Sequence, residues 1–183
     1  MANIGNMYGP DFTFLGIPRC DIEDPKSYAG ADVVILGAPI DSGTTYRSGT
    51  KMGPQSIRGT DYISHGSERP HLNMRVDGLK DLRIFDAGDV LMPPNDLTDS
   101  LNRLEKATEK LAKAGVIPII LGGDHSIASA DVKGIANVLG HGKVSMIHFD
   151  AHADTGTDQW GSLVGHGVPM RRLIESGAVH GDK

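Results

Sequence analysis

Apolar residues along this chain recur with two periods. Four short runs are rich in β-branched side chains: Asp32 to Ala38 (DVVILGA), Leu82 to Ala87 (LRIFDA), Val116 to Leu121 (VIPIIL) and Val144 to Phe149 (VSMIHF). Each is followed by Gly, Pro or Asp, as strands buried in a parallel sheet are. Between them the spacing turns helical. Asp96 to Ala114 places Leu97, Leu101, Leu104, Ala107 and Leu111 on one stripe, with Gly115 as a stop. Gly53 to Ile63 carries Pro54 where a first helical turn accepts it, and Ser126 to Leu139 and Pro169 to Ser176 complete the helical segments. Strands alternating with helices specify βαβ units, so the pattern predicts an α/β fold, a parallel sheet covered by helices. Residues 1–30, broken by Gly, Pro and Asp, read as an irregular arm that packs on the body or on a neighbouring subunit. Residues 31–183 read as the body, all or most of one domain.

Composition narrows the classes. With 39% hydrophobic and 22% charged residues the chain is neither disordered nor fibrous. A formal net charge of -5 argues against nucleic acid and for tolerance of cationic ligands. Cys20 is the only cysteine, so no internal disulfide forms. The N-terminus lacks a basic start followed by an apolar stretch, and no apolar run nears the roughly 20 residues that span a bilayer. The expectation is a cytoplasmic protein with no membrane association.

Sheets of this kind bind ligands beyond the carboxyl ends of their strands. Polar clusters fall at all four predicted exits: Asp41 with Gly43, Asp86 with Asp89, Asp124 with His125, and Asp150, His152 and Asp154. In an extended chain, residues 150, 152 and 154 project to one face. Asp and His also cap helices and close turns, but two carboxylates and two imidazoles crowded at neighbouring exits call for a cation. Carboxylate and imidazole without thiolate suit manganese, iron, zinc or nickel. Asp150 could then bridge two ions, with His125 and Asp154 on one and His152 on the other. Asp124 reads as a turn residue or as a group that supports a metal ligand from behind. His148 shares the parity of Asp150 and reads as a satisfied core histidine rather than a further ligand. His166, in a glycine-flanked loop before a helix, is placed to shuttle protons. No phosphate-binding glycine motif and no Gly-x-Ser-x-Gly elbow occurs.

Three blocks, GAPIDSGTTYRSGTKMGPQSIR (Gly37 to Arg58), LGGDHSI (Leu121 to Ile127) and HFDAHADTG (His148 to Gly156), resemble the ureohydrolase (arginase/agmatinase) superfamily. DAGDV (Asp86 to Val90) and the HG-x-P-x-RR stretch at His166 to Arg172 tilt the likeness toward its agmatinase-like members, and it runs over Gly30 to Asp182. The resemblance implies a three-layer α/β/α fold around two Mn²⁺ ions and hydrolysis of a small cationic guanidino substrate through a metal-bridging hydroxide. It implies His125, Asp150 and Asp154 as ligands of one ion, Asp150 and His152 as ligands of the other, and His166 as the proton shuttle. Agmatine, cleaved to putrescine and urea in polyamine biosynthesis, is the first substrate implied. Guanidinobutyrate, guanidinopropionate, proclavaminate, guanidine and formiminoglutamate are the alternatives. Trimers or hexamers are the implied assembly.

Members of that superfamily also carry a Ser-x-Asp-x-Asp-x-x-Asp-Pro-type block that completes both ions, and nothing after Gly177 matches it. Asp150 and Asp154 offset only half the charge of two divalent cations. The expectation is therefore the N-terminal part of a ureohydrolase domain, its C-terminal strands missing. Such a chain, alone, binds at most one ion well and releases little or no urea. A truncated, inactive paralogue that binds a metal or a partner is the alternative.

Overall fold

The hydrophobic run after Asp32 forms strand β1, Val33–Ala38, buried along its whole length. The computed structural model describes residues 5–60, 71 and 73–182. On either side of β1 lie β2, Ile84–Asp89, and β3, Ile117–Gly122, both parallel to it, in the order β2-β1-β3. Val33 is the first residue paired on both sides, opposite Ile84 on one and Ile117 on the other.

The two faces of β1 are covered differently. Val34, Leu36 and Ala38 belong to the core that takes in Leu101, Leu104, Ala107 and Leu111 of α3, Leu97–Lys113. Asp96 caps α3 by accepting the Asp99 amide at 2.8 Å. Helix α4, Ile127–Leu139, lies against α3, and the contact is close at Gly134. A Cβ there would sit 1.9 Å from Thr108 Oγ1 and 2.4 Å from the Glu105 carbonyl oxygen, so only glycine lets the two helices approach this far. On the opposite face, Gly37 looks onto Arg58 at the end of α1, Gly53–Arg58. Helices on both faces of a parallel sheet make the three-layer α/β/α arrangement. A short α2, Gly78–Asp81, precedes β2, and α5, Pro169–Glu175, packs on α4.

The arm lies along the outer edge of β2. Cys20 N–H donates to the Asp86 carbonyl at 3.0 Å, Asp86 N–H to Pro18 at 2.9 Å and Asp89 N–H to Gly5 at 2.9 Å. That edge of the sheet is therefore satisfied by the chain itself.

Three expectations need correction. Val144 to Phe149 enters no ladder among the described residues, so the fourth strand is absent from the sheet. Its side chains still alternate, with 144, 146 and 148 half-buried, but Ile147 is 81% and Phe149 94% exposed. The strand pattern persists with no neighbour to pair with or pack its outer face. The helix expected to reach Ile63 ends at Arg58, with a turn through Thr60, and residues 61–63 lie outside the described set.

The third concerns Asp86 and Asp89, which lie within β2, buried, rather than beyond its exit. Positions three apart in a regular strand point to opposite faces. A register shift between Ile35 and Gly37, with Gly88 at φ 74°, inserts a bulge that turns both carboxylates to the same side. Arg58 meets them there: Nε and Nη2 reach the two Asp86 oxygens at 2.9 Å each, and Nη1 reaches Asp89 Oδ1 at 2.5 Å. Burial works against the guanidinium charge, but the hydrogen bonds to Asp86 and Asp89 outweigh it and raise its pKa. This trio ties α1 to β2 and takes no part in the polar rim.

Candidate metal centre

Strand β3 ends at Gly122, and the chain then bends through Gly123 and Asp124 into His125 just before α4. Asp124 is buried and shapes that turn. Its Oδ1 accepts the Ser126 amide at 2.9 Å and the Ser126 hydroxyl, while Oδ2 accepts the Gly43 amide at 2.8 Å. It is a turn residue, as its place in the sequence implies, and it leaves His125 next to it half-exposed at the rim.

Around His125 the second polar cluster closes in. His125 Nδ1 lies 2.5 Å from Asp154 Oδ2 and 3.8 Å from Asp150 Oδ2. Asp150 uses its other oxygen on the far side: Oδ1 accepts the His152 amide at 2.9 Å and stands 3.8 Å from His152 Nδ1. The carboxylate thus faces imidazole nitrogens with both oxygens, Oδ2 toward His125 and His148 and Oδ1 toward His152. Donation from the His152 amide, opposed by burial and helped by His148 and His125, lowers the Asp150 pKa below the usual carboxylate range.

The reason these groups meet differs from the one the spacing gives. Residues 150–152 form a bend, not an extended strand, and the bond from the His152 amide to Asp150 Oδ1 closes it. Asp154 then takes φ 47°, a left-handed conformation rare outside glycine but accessible to Asp. Its carbonyl accepts the Met170 amide at 3.2 Å, which anchors the strained residue to the start of α5. The loop folds the carboxylates together where strand parity alone would not.

His148 departs from the core reading. Its ring stacks on that of His125, centroids 5.0 Å apart and planes 17° off parallel, and its Nε2 lies 3.3 Å from Asp150 Oδ2. One donor atom each of His125, His148 and Asp150 falls within 4.8 Å of the others. Together with Asp154 and His152 these residues form a carboxylate and imidazole donor set that a divalent cation of the manganese, iron, zinc or nickel type accepts. Three of the donors are half-buried at most and His152 has its side chain 80% exposed, so the set is open to solvent on one side.

His166 approaches from a separate loop. Its amide donates to the Gly43 carbonyl at 3.2 Å, and Thr45 Oγ1 lies 3.0 Å from its Nε2. Gln159 brackets the same place, donating through Nε2 to Gly43 O at 2.9 Å and accepting the Gly167 amide at 3.0 Å. Neither Thr45 nor Gln159 is singled out by the sequence pattern. They lie 121 and 7 residues from His166, and only the folded loops bring them to it.

A family model described as the Arginase family matches residues 31–183. Proclavaminate amidinohydrolase of Streptomyces clavuligerus is 34% identical over 175 residues, covering 95% of this chain and 52% of the relative. Its solved structure superposes with a TM-score of 0.77 at 32% identity, over 94% of this chain and 55% of that one. A mitochondrial agmatinase of Gallus gallus is 34% identical over 153 residues, 84% of this chain and 44% of the relative. A formiminoglutamase of Trypanosoma cruzi, solved with Mn²⁺, gives a TM-score of 0.70 at 26% identity, over 84% of this chain and 52% of that one. The chain thus spans about half the length of the relatives it matches.

Proposed function

The chain belongs to the arginase family, and from that premise we propose that it contributes to a manganese-dependent hydrolase of a guanidino compound, agmatine before others. The observation that carries the reading is the split of Asp150, one oxygen toward His125 and the other toward His152, with Asp154 on the remaining side of His125. His125 Nδ1, Asp154 and Asp150 would hold one Mn²⁺ and Asp150 with His152 a second. Bound there, the cations supply Lewis-acid activation of water, which the resonance-stabilised guanidinium carbon requires of any nucleophile at neutral pH.

The protein's own groups then serve three purposes. The aspartates draw a cationic guanidino group toward the rim. His166, tied to Gly43 and Thr45, gives a proton to the departing amine, which leaves only when protonated. The Asp124 turn keeps His125 at the rim against the Gly43 loop. Relatives 31–36% identical bear the names of different guanidino substrates, so agmatine rests on the Gly37 to Arg58 and His166 to Arg172 stretches.

Urea release tests the reading in the protein as expressed from its gene, with Mn²⁺ in excess and agmatine, guanidinobutyrate, guanidinopropionate and proclavaminate offered in turn. The expected result is turnover of agmatine that falls at least about 100-fold in Asp150→Asn. Turnover of none of these compounds, or turnover indifferent to both chelation and Asp150→Asn, overturns it.

A further inference from the structure

We propose that Thr45 is a positioning residue for His166, fixing the direction of the imidazole that serves as proton donor; the proposal rests on the hydrolase reading above. Two neighbouring threonines in the stretch after β1 do different things. Thr44 closes a local turn, its hydroxyl donating to the Asp41 carbonyl at 2.8 Å. Thr45 is turned the other way, across 121 residues of sequence, and its hydroxyl meets His166 Nε2 at 3.0 Å.

The place where this happens is braced from three directions. Asp124, buried, holds the Gly43 amide at 2.8 Å, so the loop carrying Thr45 is fixed to the residue immediately before His125. The Gly43 carbonyl holds the His166 amide at 3.2 Å. From the other side, the Gly156 amide donates to the Gly167 carbonyl at 3.2 Å and the Met170 amide to the Asp154 carbonyl at 3.2 Å, so the His166 loop is also sewn to the Asp154 loop. Both the backbone of His166 and its candidate metal-binding neighbours are therefore in a common frame.

Backbone bonds place a Cα, yet they leave the two side-chain torsions of an imidazole free. The Thr45 hydroxyl supplies the missing constraint. Its chemistry suits a group that changes protonation state: a hydroxyl donates to a bare ring nitrogen and accepts from an N–H, so the contact survives the arrival and departure of a proton. A carboxylate in its place would favour the charged ring, and an amide would need to flip. Thr45 thereby keeps the ring aimed through a proton-transfer cycle without adding charge.

The experiment compares wild type with Thr45→Val and Thr45→Ser, the first removing the hydroxyl at nearly constant shape and the second keeping it. Long-range ¹H–¹⁵N spectra of the histidine rings read the contact directly, with the backbone amide spectrum as a check on folding. The tether predicts that the His166 ring signals shift in Thr45→Val and return in Thr45→Ser. With agmatine and Mn²⁺, it predicts a fall in kcat of about 10-fold or more in Thr45→Val at little-changed KM, restored by serine. His166 ring signals unmoved by valine refute the tether and leave the hydrolase reading standing. A His166→Ala protein that turns over agmatine as fast as wild type refutes the proton-donor role, and with it the purpose assigned to Thr45.

Discussion

His125 and Asp154 meet at 2.5 Å, Nδ1 to Oδ2, although the two lie 29 residues apart and Asp154 must take a left-handed backbone to get there. Strain retained at one residue and recovered through a contact to another marks a site held for use. With Asp150 3.8 Å from the same nitrogen, the three groups are arranged for one cation more completely than His152 and Asp150 alone are for a second. The chain is therefore expected to take up one Mn²⁺ per molecule in a calorimetric or paramagnetic titration. Asp150→Ala should abolish that uptake, and Asp154→Asn should weaken it about 10-fold or more, about 1.4 kcal/mol. Uptake that survives Asp150→Ala would locate the ion elsewhere.

Arg58 sets a different expectation. Its guanidinium is wholly buried and spends three nitrogens on Asp86 and Asp89. Removing the cation leaves Asp86 with only the more distant Arg19, 3.7 Å away, and Asp89 with no ion-pair partner among the described residues, a loss of about 3–5 kcal/mol. Arg58→Ala should shift the urea midpoint of unfolding accordingly. Arg58→Lys should recover little of it, since a single ammonium cannot reproduce the fork that spans both aspartates.

Gly134 gives a third. Glycine inside a helix ordinarily weakens it, and alanine would be the better helix former by about 1 kcal/mol. Here the methyl group would meet Thr108 Oγ1 at 1.9 Å and the Glu105 carbonyl at 2.4 Å, and the carbonyl belongs to the backbone of α3. Gly134→Ala should therefore destabilise, by about 1–3 kcal/mol, despite its favourable propensity. Manganese uptake per folded molecule should be unchanged. A stabilised variant would mean that the two helices separate more easily than their packing implies.

What could be read from the sequence depended on whether the determining interaction was local. The stripe Leu97, Leu101, Leu104, Ala107 and Leu111 specified α3 because burial of one helix face is periodic and needs no knowledge of the partner. Val33 to Ala38 was equally legible, since a strand buried on both faces is apolar throughout. Asp86 and Asp89 were misplaced because a bulge at Gly88 reassigns faces, and nothing in DAGDV distinguishes a bulge from a strand end. His148 reads as a core residue because strand parity says which face a side chain takes, but not that the face lies open beside His125. The ladder missing at Val144 to Phe149 is the same limit seen from the other side, since an apolar alternation states a need for neighbours and cannot supply them. For the metal cluster, residue types and order carried the chemistry, while the bend at residues 150–152 and the turn at Asp154 carried the geometry.

Asp131, on α4, makes stability depend on pH. Burial pushes its carboxyl from the ordinary 3.8 up to about 6, and Oδ1 is buried with no hydrogen-bond partner among the described residues. A carboxyl whose pKa is higher in the folded state binds its proton more tightly there than in the unfolded chain. Well below the unfolded value of 3.8, near pH 2 to 3, it is neutral in both states and costs nothing. As pH rises toward 6 the unfolded chain ionises first, so stability falls, and above that the folded state carries the full penalty of about 1–3 kcal/mol. Asp131→Asn removes the titration and keeps the shape. Urea unfolding of the two proteins should coincide near pH 2 to 3 and diverge in favour of the asparagine variant from pH 4 through pH 6, to a constant gap near pH 7. A gap of the same size at every pH would mean that the benefit of asparagine comes from packing or hydrogen bonding, and that the Asp131 carboxylate is solvated in the folded protein after all.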